Sequence, residues 1–185
     1  MIVPETLHAE GLTLRRHRSA DQGPFAAFLT HPTATRYMAF TPEQKTADGA
    51  REMLDYVIAS YDSAAPIFSL TIVDEGGAYL GSCGAQPLAD EDDGIEVYYT
   101  VMPEQQGRGV ATRAMRAVID HLFRSTEAKR LVAFVVPENV PSVRVAEKLG
   151  FVSDGAAERE AATGELSHDR LRGLRYVLSR EPSGG

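Results

Sequence analysis

The stretch from Ile95 to Val136 limits the fold of this chain more severely than any other. Ile95 to Met102 is dense in β-forming residues and reads as a strand. At Pro103 the pattern changes, and a loop to Gly107 leads into a helix over about Arg108 to Ser125, with Val110, Ala114, Val118 and Leu122 spaced along it. Leu131 to Val136 is apolar almost without interruption, as a strand buried on both faces is, and Pro137 ends it. Two strands joined through one helix make a parallel crossover, and such crossovers are right-handed.

The flanking segments supply the rest of the sheet. Leu12 to Arg16 alternates as a half-buried strand does. Ser19 is the expected cap of a short helix through Phe25, Phe28 and Leu29. A second helix opens after Thr46 with Met53, Leu54, Val57 and Ile58 on one stripe, and Met53, Leu54, Tyr56 and Tyr61 are expected core. Ile67 to Asp74 and Tyr79 to Pro87 form a hairpin through Gly76-Gly77, and the acidic run Asp90 to Asp93 with Gly94 makes a further turn. A last helix spans about Val140 to Leu149 and stops at Gly150. Phe151 to Glu160 and Leu166 to Leu178 close the chain as a hairpin around Thr163-Gly164. The expectation is one α/β (α+β) domain over 1–185, with its core at about 11–178 and a flexible tail at 179–185. Its mixed, mostly antiparallel sheet has about seven strands flanked by about four helices.

Bulk properties narrow the function. A net charge of −7 argues against sequence-independent nucleic-acid binding, which needs clustered Lys and Arg, and is compatible with a cationic partner. No apolar run approaches the ~18 residues of a membrane-spanning helix. The start, MIVPETLHAEG, has neither the basic nor the apolar region of a secretory signal. The lone cysteine, Cys83, excludes an internal disulfide or a thiolate metal site and fits a small buried strand residue. No metal is expected, and a reducing, cytoplasmic setting follows. His168-Asp169 has too few ligands for a metal and no serine nucleophile for a triad, and fits surface or acceptor-site lining.

The chemistry concentrates in Gln106-Gly107-Arg108-Gly109-Val110-Ala111-Thr112, between the strand and the helix. A helix start leaves backbone N–H groups without partners and carries a partial positive charge. Gly107, Gly109 and the small Ala111 keep side-chain bulk away, so a diphosphate could approach the main chain. The run lacks the Gly-Lys-Ser/Thr of a Walker loop and the third glycine of a dinucleotide fingerprint. By itself it fits either an anion cradle or a glycine turn that merely starts a helix.

The wider stretch from Glu96 to Thr112 resembles motif A of the GNAT superfamily of N-acetyltransferases, Gln/Arg-x-x-Gly-x-Gly/Ala, met by Gln106, Gly109 and Ala111. A second block, Asn139 to Phe151, resembles motif B of the ribosomal-protein-alanine acetyltransferase branch: Asn139, Ser142 and the run Glu147-Lys148-Leu149-Gly150-Phe151 are all present. The resemblance implies a GNAT-like fold in which the strand bearing Val101 bulges and splays from the next. It implies acetyl transfer from acetyl-CoA to a primary amine, by direct attack in a ternary complex. Backbone amides of Gln106, Gly107, Arg108, Gly109, Val110, Ala111 and Thr112 would hold the pyrophosphate. Val101, Met102 and Asn139 would hold the pantetheine, with the Val101 N–H on the thioester carbonyl.

The resemblance further implies that Glu96 takes the proton of the amine and Ser142 supplies one to the departing thiolate, with Tyr98, Tyr99 and Tyr176 as rivals for that second role. Without it, Glu96 reads as a strand carboxylate and Asn139 as a helix cap. The acceptor is a protein N-terminus or a small amine, and the enzyme a monomer or homodimer. A non-catalytic acyl-CoA sensor is the alternative. Two departures bear on the acceptor: Tyr98 stands where the branch commonly has glycine, and Arg113 where it often has an acid.

Overall fold

Val110, Ala114, Met115, Val118, Ile119 and Leu122 are buried on one stripe of α3 (Val110–Ser125), which covers the sheet. The computed structural model describes residues 1–88, 94–160 and 170–180. The strands are β1 (Thr6–Ala9), β2 (Leu12–Arg15), β3 (Phe68–Asp74), β4 (Tyr79–Pro87), β5 (Gly94–Val101), β6 (Arg130–Val135), β7 (Val152–Glu160) and β8 (Arg170–Ser179). The other helices are α1 (Gln22–Leu29), α2 (Ala47–Ser60) and α4 (Val140–Lys148). The strands form one sheet in the order β1-β2-β3-β4-β5-β6-β8-β7. Every pairing is antiparallel except β5 with β6, the two strands joined through α3.

The expected architecture is present with corrections. The sheet has eight strands because β1 adds an edge; it is only 4 residues long and half exposed, so it carries no apolar alternation to read. α3 begins at Val110, after Gly107 and Gly109 have both turned left-handed, and not at Arg108. Ser19 does not cap α1 but opens a 3-10 turn, where the Asp21 carboxylate accepts the Arg18 N–H at 2.9 Å. Tyr56 is 72% exposed and no part of the core. The turn at Asp90–Asp93, the Thr163-Gly164 tip and His168-Asp169 lie outside the described residues. Arg180 donates to the carbonyls of Phe123, Thr126 and Ala128, which ties the end of β8 to the end of α3.

The parallel pair explains where a site can form. β5 and β6 are in register at Gly94–Arg130, Ile95–Leu131 and Glu96–Val132, and then they part. β5 continues in register with β4 as far as Val101. β6 continues with β8 as far as Val135. The sheet therefore splits into a wedge while each wall keeps its outer hydrogen bonds. No bulge causes the split, because the β4–β5 register is unbroken. A second apolar cluster, centred on Phe28, Leu29 and Ala50 with Phe25, Met38, Phe40, Met53 and Met102, lies apart from the main core.

Tyr98 faces Gly84 across the β4–β5 pair. A methyl at Gly84 would fall inside contact distance of both the Tyr98 hydroxyl and the Phe68 carbonyl oxygen. Gly84→Ala should cost about 1–3 kcal/mol in urea unfolding, and adding Tyr98→Phe should recover only part of it, since the ring carbon and the Phe68 carbonyl both remain. Full stability in the single variant would show that the ring does not lie on this glycine.

Candidate active site

Gly107 and Gly109 have φ of 76° and 73°, a region that residues with a Cβ enter at a cost. Crowding by the rest of the protein is not the reason for glycine at position 107, where an added Cβ would meet no protein atom within 4 Å. The two turns aim successive amides outward. The Arg113 N–H, bonded to the Gly109 carbonyl at 3.0 Å, is the first amide of the helix with an internal acceptor. None of the N–H groups from Gly107 to Thr112 meets an acceptor among the described residues. The Gln106 side chain reaches back to the Val101 carbonyl at 3.3 Å and holds the loop against the end of β5.

This loop opens onto the wedge, and the two share one cavity of about 940 Å³. Its lining includes Gln106, Gly107 and Gly109 from the loop, Val110, Ala111 and Thr112 from the first turn of α3, Val101 from β5, Asn139 at the cap of α4 and Ser142 in its first turn. The Met102 N–H bonds to Leu80 on β4 at 2.9 Å. Amides alternate in direction along a strand, so the Val101 N–H points the other way, into the wedge. Of the residues expected at the cofactor, Arg108 and Met102 do not line the cavity. The Arg108 guanidinium donates to Gln105 at 3.4 Å, and Met102 packs into the second apolar cluster. Asn139 holds the cap position of α4, yet its side chain makes no capping bond.

Ser142 Oγ lies 2.9 Å from Tyr99 Oη, so α4 and β5 place a hydroxyl pair at the mouth of the wedge. Burial pushes the Tyr99 phenol up, and the bond to Ser142 offsets part of that. Tyr98 points to the other face of β5, where its hydroxyl donates to the Phe68 carbonyl at 3.5 Å and burial pushes it up to about 12. Tyr176 is buried in the main core. Cys83 is fully buried on β4, and burial alone pushes its thiol up to about 12, the state of an inert core thiol.

The far half of the cavity has a polar floor and apolar walls. Glu96 is 3% exposed and accepts Gln86 Nε2 at 2.7 Å. Ser69 and His17 line the same floor, and Phe25, Met38, Phe40 and Met53 line the walls. His17 is buried between Ser69 Oγ, at 2.9 Å from Nε2, and Thr71 Oγ1, at 2.6 Å from Nδ1. Thr71 in turn donates to Asp21 at 2.9 Å, and Asp21 forms a two-pronged pair with Arg15 at 2.7 and 2.8 Å. Burial raises the Asp21 carboxyl, but the bonds from Arg15, Arg18 and Thr71 outweigh it and hold the group below its usual range. Burial drives the His17 imidazole down to about 4, so the ring is neutral near pH 7.

Sequence reasoning did not reach this buried chain. Its one signal is Ser69 and Thr71, two hydroxyls in a strand where six consecutive residues are buried. Among the described residues, no group of three or more His, Cys, Asp or Glu is placed to hold a metal, and no helix is long and apolar enough to cross a membrane.

Residues 11–152 match the family model of the acetyltransferase (GNAT) domain. An uncharacterized N-acetyltransferase, p20, of Bacillus licheniformis is 33% identical over 164 residues, which is 88% of this chain and 91% of that protein. The fold superposes on a GNAT-family acetyltransferase of Bacillus anthracis with a TM-score of 0.76 at 18% identity, covering 94% of this chain and 98% of the other. It also superposes on Mycobacterium smegmatis RimJ in complex with CoA-disulfide, with a TM-score of 0.73 at 20% identity over 95% and 86% of the two chains.

The lowered imidazole has a signed consequence for stability. Between the ordinary value of 6.5 and about 4, the unfolded chain binds a proton at His17 that the folded chain refuses. Stability should therefore be complete above the upper value and fall as pH drops through that window, by up to about 3 kcal/mol, before levelling. Urea titrations of the wild type and His17→Gln across this range should show that component only in the wild type. Parallel pH dependences would show that His17 is not held neutral.

Proposed function

This chain belongs to the GNAT family of acetyl-CoA-dependent acyltransferases, and we propose that it acetylates a primary amine by direct attack on the thioester in a ternary complex. The observation that carries the reading is the continuity of the unpaired amides of Gly107–Thr112 with the wedge between β5 and β6. A diphosphate suits the first, through main-chain donors and the dipole of α3. The extended pantetheine suits the second, where two strand edges face each other without pairing. Asn139, whose side chain caps nothing, is placed to bond the amide groups of that arm.

The same geometry orders the chemistry. With pantetheine in the wedge, the Val101 N–H faces the thioester carbonyl and stabilises the negative charge that forms on its oxygen. An alkyl ammonium has a pKa near ~10 and must lose a proton before it attacks. Glu96, at the point where β5 leaves β6, is the group that removes it, directly or through one water. The amine nitrogen then bonds to the carbonyl carbon, the C–S bond breaks, the thiolate takes a proton from the Ser142–Tyr99 hydroxyl pair, and the proton that the new amide nitrogen sheds restores that pair. A protein N-terminus and a small amine both satisfy this scheme. The apolar walls support an amine with an apolar flank.

The test is a search for products 42 Da heavier, made from acetyl-CoA with an alanine-terminated peptide, 2-phenylethylamine or spermidine, while free thiol is followed. Gly109→Trp should abolish CoA binding in calorimetry, because the ring covers the amides and strains the left-handed turn; normal affinity would show the phosphate site to be elsewhere. Glu96→Gln should leave CoA affinity intact and slow turnover by about 100-fold at neutral pH. That defect should shrink as pH rises and the amine loses its proton unaided. An unchanged pH–rate profile would remove Glu96 from the mechanism.

A further inference from the structure

We infer that Ser69 accepts a hydrogen bond from the acceptor amine, and that the buried chain Asp21–Thr71–His17 is a positioning device that holds the Ser69 hydroxyl as an acceptor. The inference rests on the reading above that the substrate is a primary amine.

Counting donors along the chain fixes its direction. Asp21 is ionised: it binds both guanidinium nitrogens of Arg15 and takes the Arg18 N–H, so it has no proton to give. The 2.9 Å contact with Thr71 therefore uses the threonine proton. A threonine hydroxyl has only one, so the 2.6 Å contact between Thr71 Oγ1 and His17 Nδ1 must use a proton on the ring. The buried ring is neutral, which leaves Nε2 with a bare lone pair. The 2.9 Å contact there is Ser69 donating to His17.

With its proton turned inward, Ser69 offers only lone pairs to the cavity it lines. The Tyr98 hydroxyl gives its one proton to the Phe68 carbonyl at 3.5 Å, so it has none to spend on the Ser69 lone pairs. Donating to an imidazole makes the serine oxygen a better acceptor, since linked hydrogen bonds polarise one another. A neutral primary amine needs just such a partner. It carries two N–H groups and one lone pair, and holding an N–H at Ser69 turns the nitrogen lone pair toward the thioester.

Thr71 allows a test from outside the cavity, because it is fully buried and does not line it. Thr71→Val keeps the shape but removes the acceptor for Nδ1–H. The ring should then carry its proton on Nε2, donate to Ser69 and turn the serine proton into the cavity. In wild-type enzyme with ¹⁵N-labelled histidine, nitrogen shifts should report His17 protonated at Nδ1, and Thr71→Val should move the proton to Nε2. With 2-phenylethylamine, Thr71→Val should raise the amine KM about tenfold, the size of one lost hydrogen bond, while kcat and the CoA dissociation constant stay within about twofold. Thr71→Ser should restore the wild-type KM. In a Ser69→Ala background, Thr71→Val should add nothing, because the group it controls is gone.

A wild-type ring protonated at Nε2, an unmoved KM in Thr71→Val, or an equal Thr71→Val effect with and without Ser69 would each overturn the inference. Those results arise in an active enzyme. A wild type that acetylates none of the three amines of the product search would defeat the amine reading itself and take this inference with it.

Discussion

Parallel pairing between β5 and β6 covers Gly94 to Glu96 and stops there, and the whole functional half of the molecule depends on that stop. An interrupted ladder inside a sheet exposes polar backbone, which is costly unless something else meets it. Here the rest of the fold carries the interruption. β5 is fixed to β4 along its length, and β6 is fixed to β8 beyond the split. α3 packs its buried stripe on the sheet, with Val110 of its first turn in the main core. The wedge is thus a rigid opening between two walls that are each complete on the far side, as a preorganised site requires.

The helix that bridges the split also sets its electrostatics. α3 starts at the open end of the wedge, so its unpaired amides face the same space as the diverging strand edges. An anion and an extended polar chain can then be held by main-chain groups alone. That division leaves side chains free for other tasks: Glu96, Ser142 and Tyr99 stand around the wedge, and Ser69, His17 and Tyr98 make the floor beyond it. The two districts are buried in different ways. Glu96 is held by Gln86, whereas the His17 chain ends on an ion pair between Arg15 and Asp21 that keeps its charge away from the cavity.

How much of this could be read in advance follows from distance along the chain. β5, α3 and β6 were legible because strand period, helix period and a doubly buried apolar run follow one another without interruption. The glycine loop was legible for the same local reason, but not the left-handed turns of Gly107 and Gly109, which move the helix start from Arg108 to Val110. The divergence of the strands was not in the composition of either strand; it came from the resemblance of the Glu96–Thr112 block, and the bulge that came with it is absent. β1 was missed because an edge strand of 4 half-exposed residues needs no apolar pattern. The His17 chain joins residues 50 to 54 positions apart, and no local spacing encodes such contacts.

Tyr98 shows how a single departure from a motif reshapes a chamber without touching the glycine loop. Its ring requires the bare Gly84 opposite it, since a methyl there would collide with both the ring hydroxyl and the next strand. Its position on β5 alternates with Tyr99, so the two neighbouring phenols serve opposite faces: one meets Ser142 on α4, and the other donates to the Phe68 carbonyl on β3. A glycine at 98 would leave the floor of the far chamber open over Ser69. The tyrosine lines that volume with an aromatic face and gives its hydroxyl proton to the Phe68 carbonyl, beside Ser69. The chemistry of the wedge and the shape of the chamber can therefore vary independently, because alternate residues of the same strand serve them.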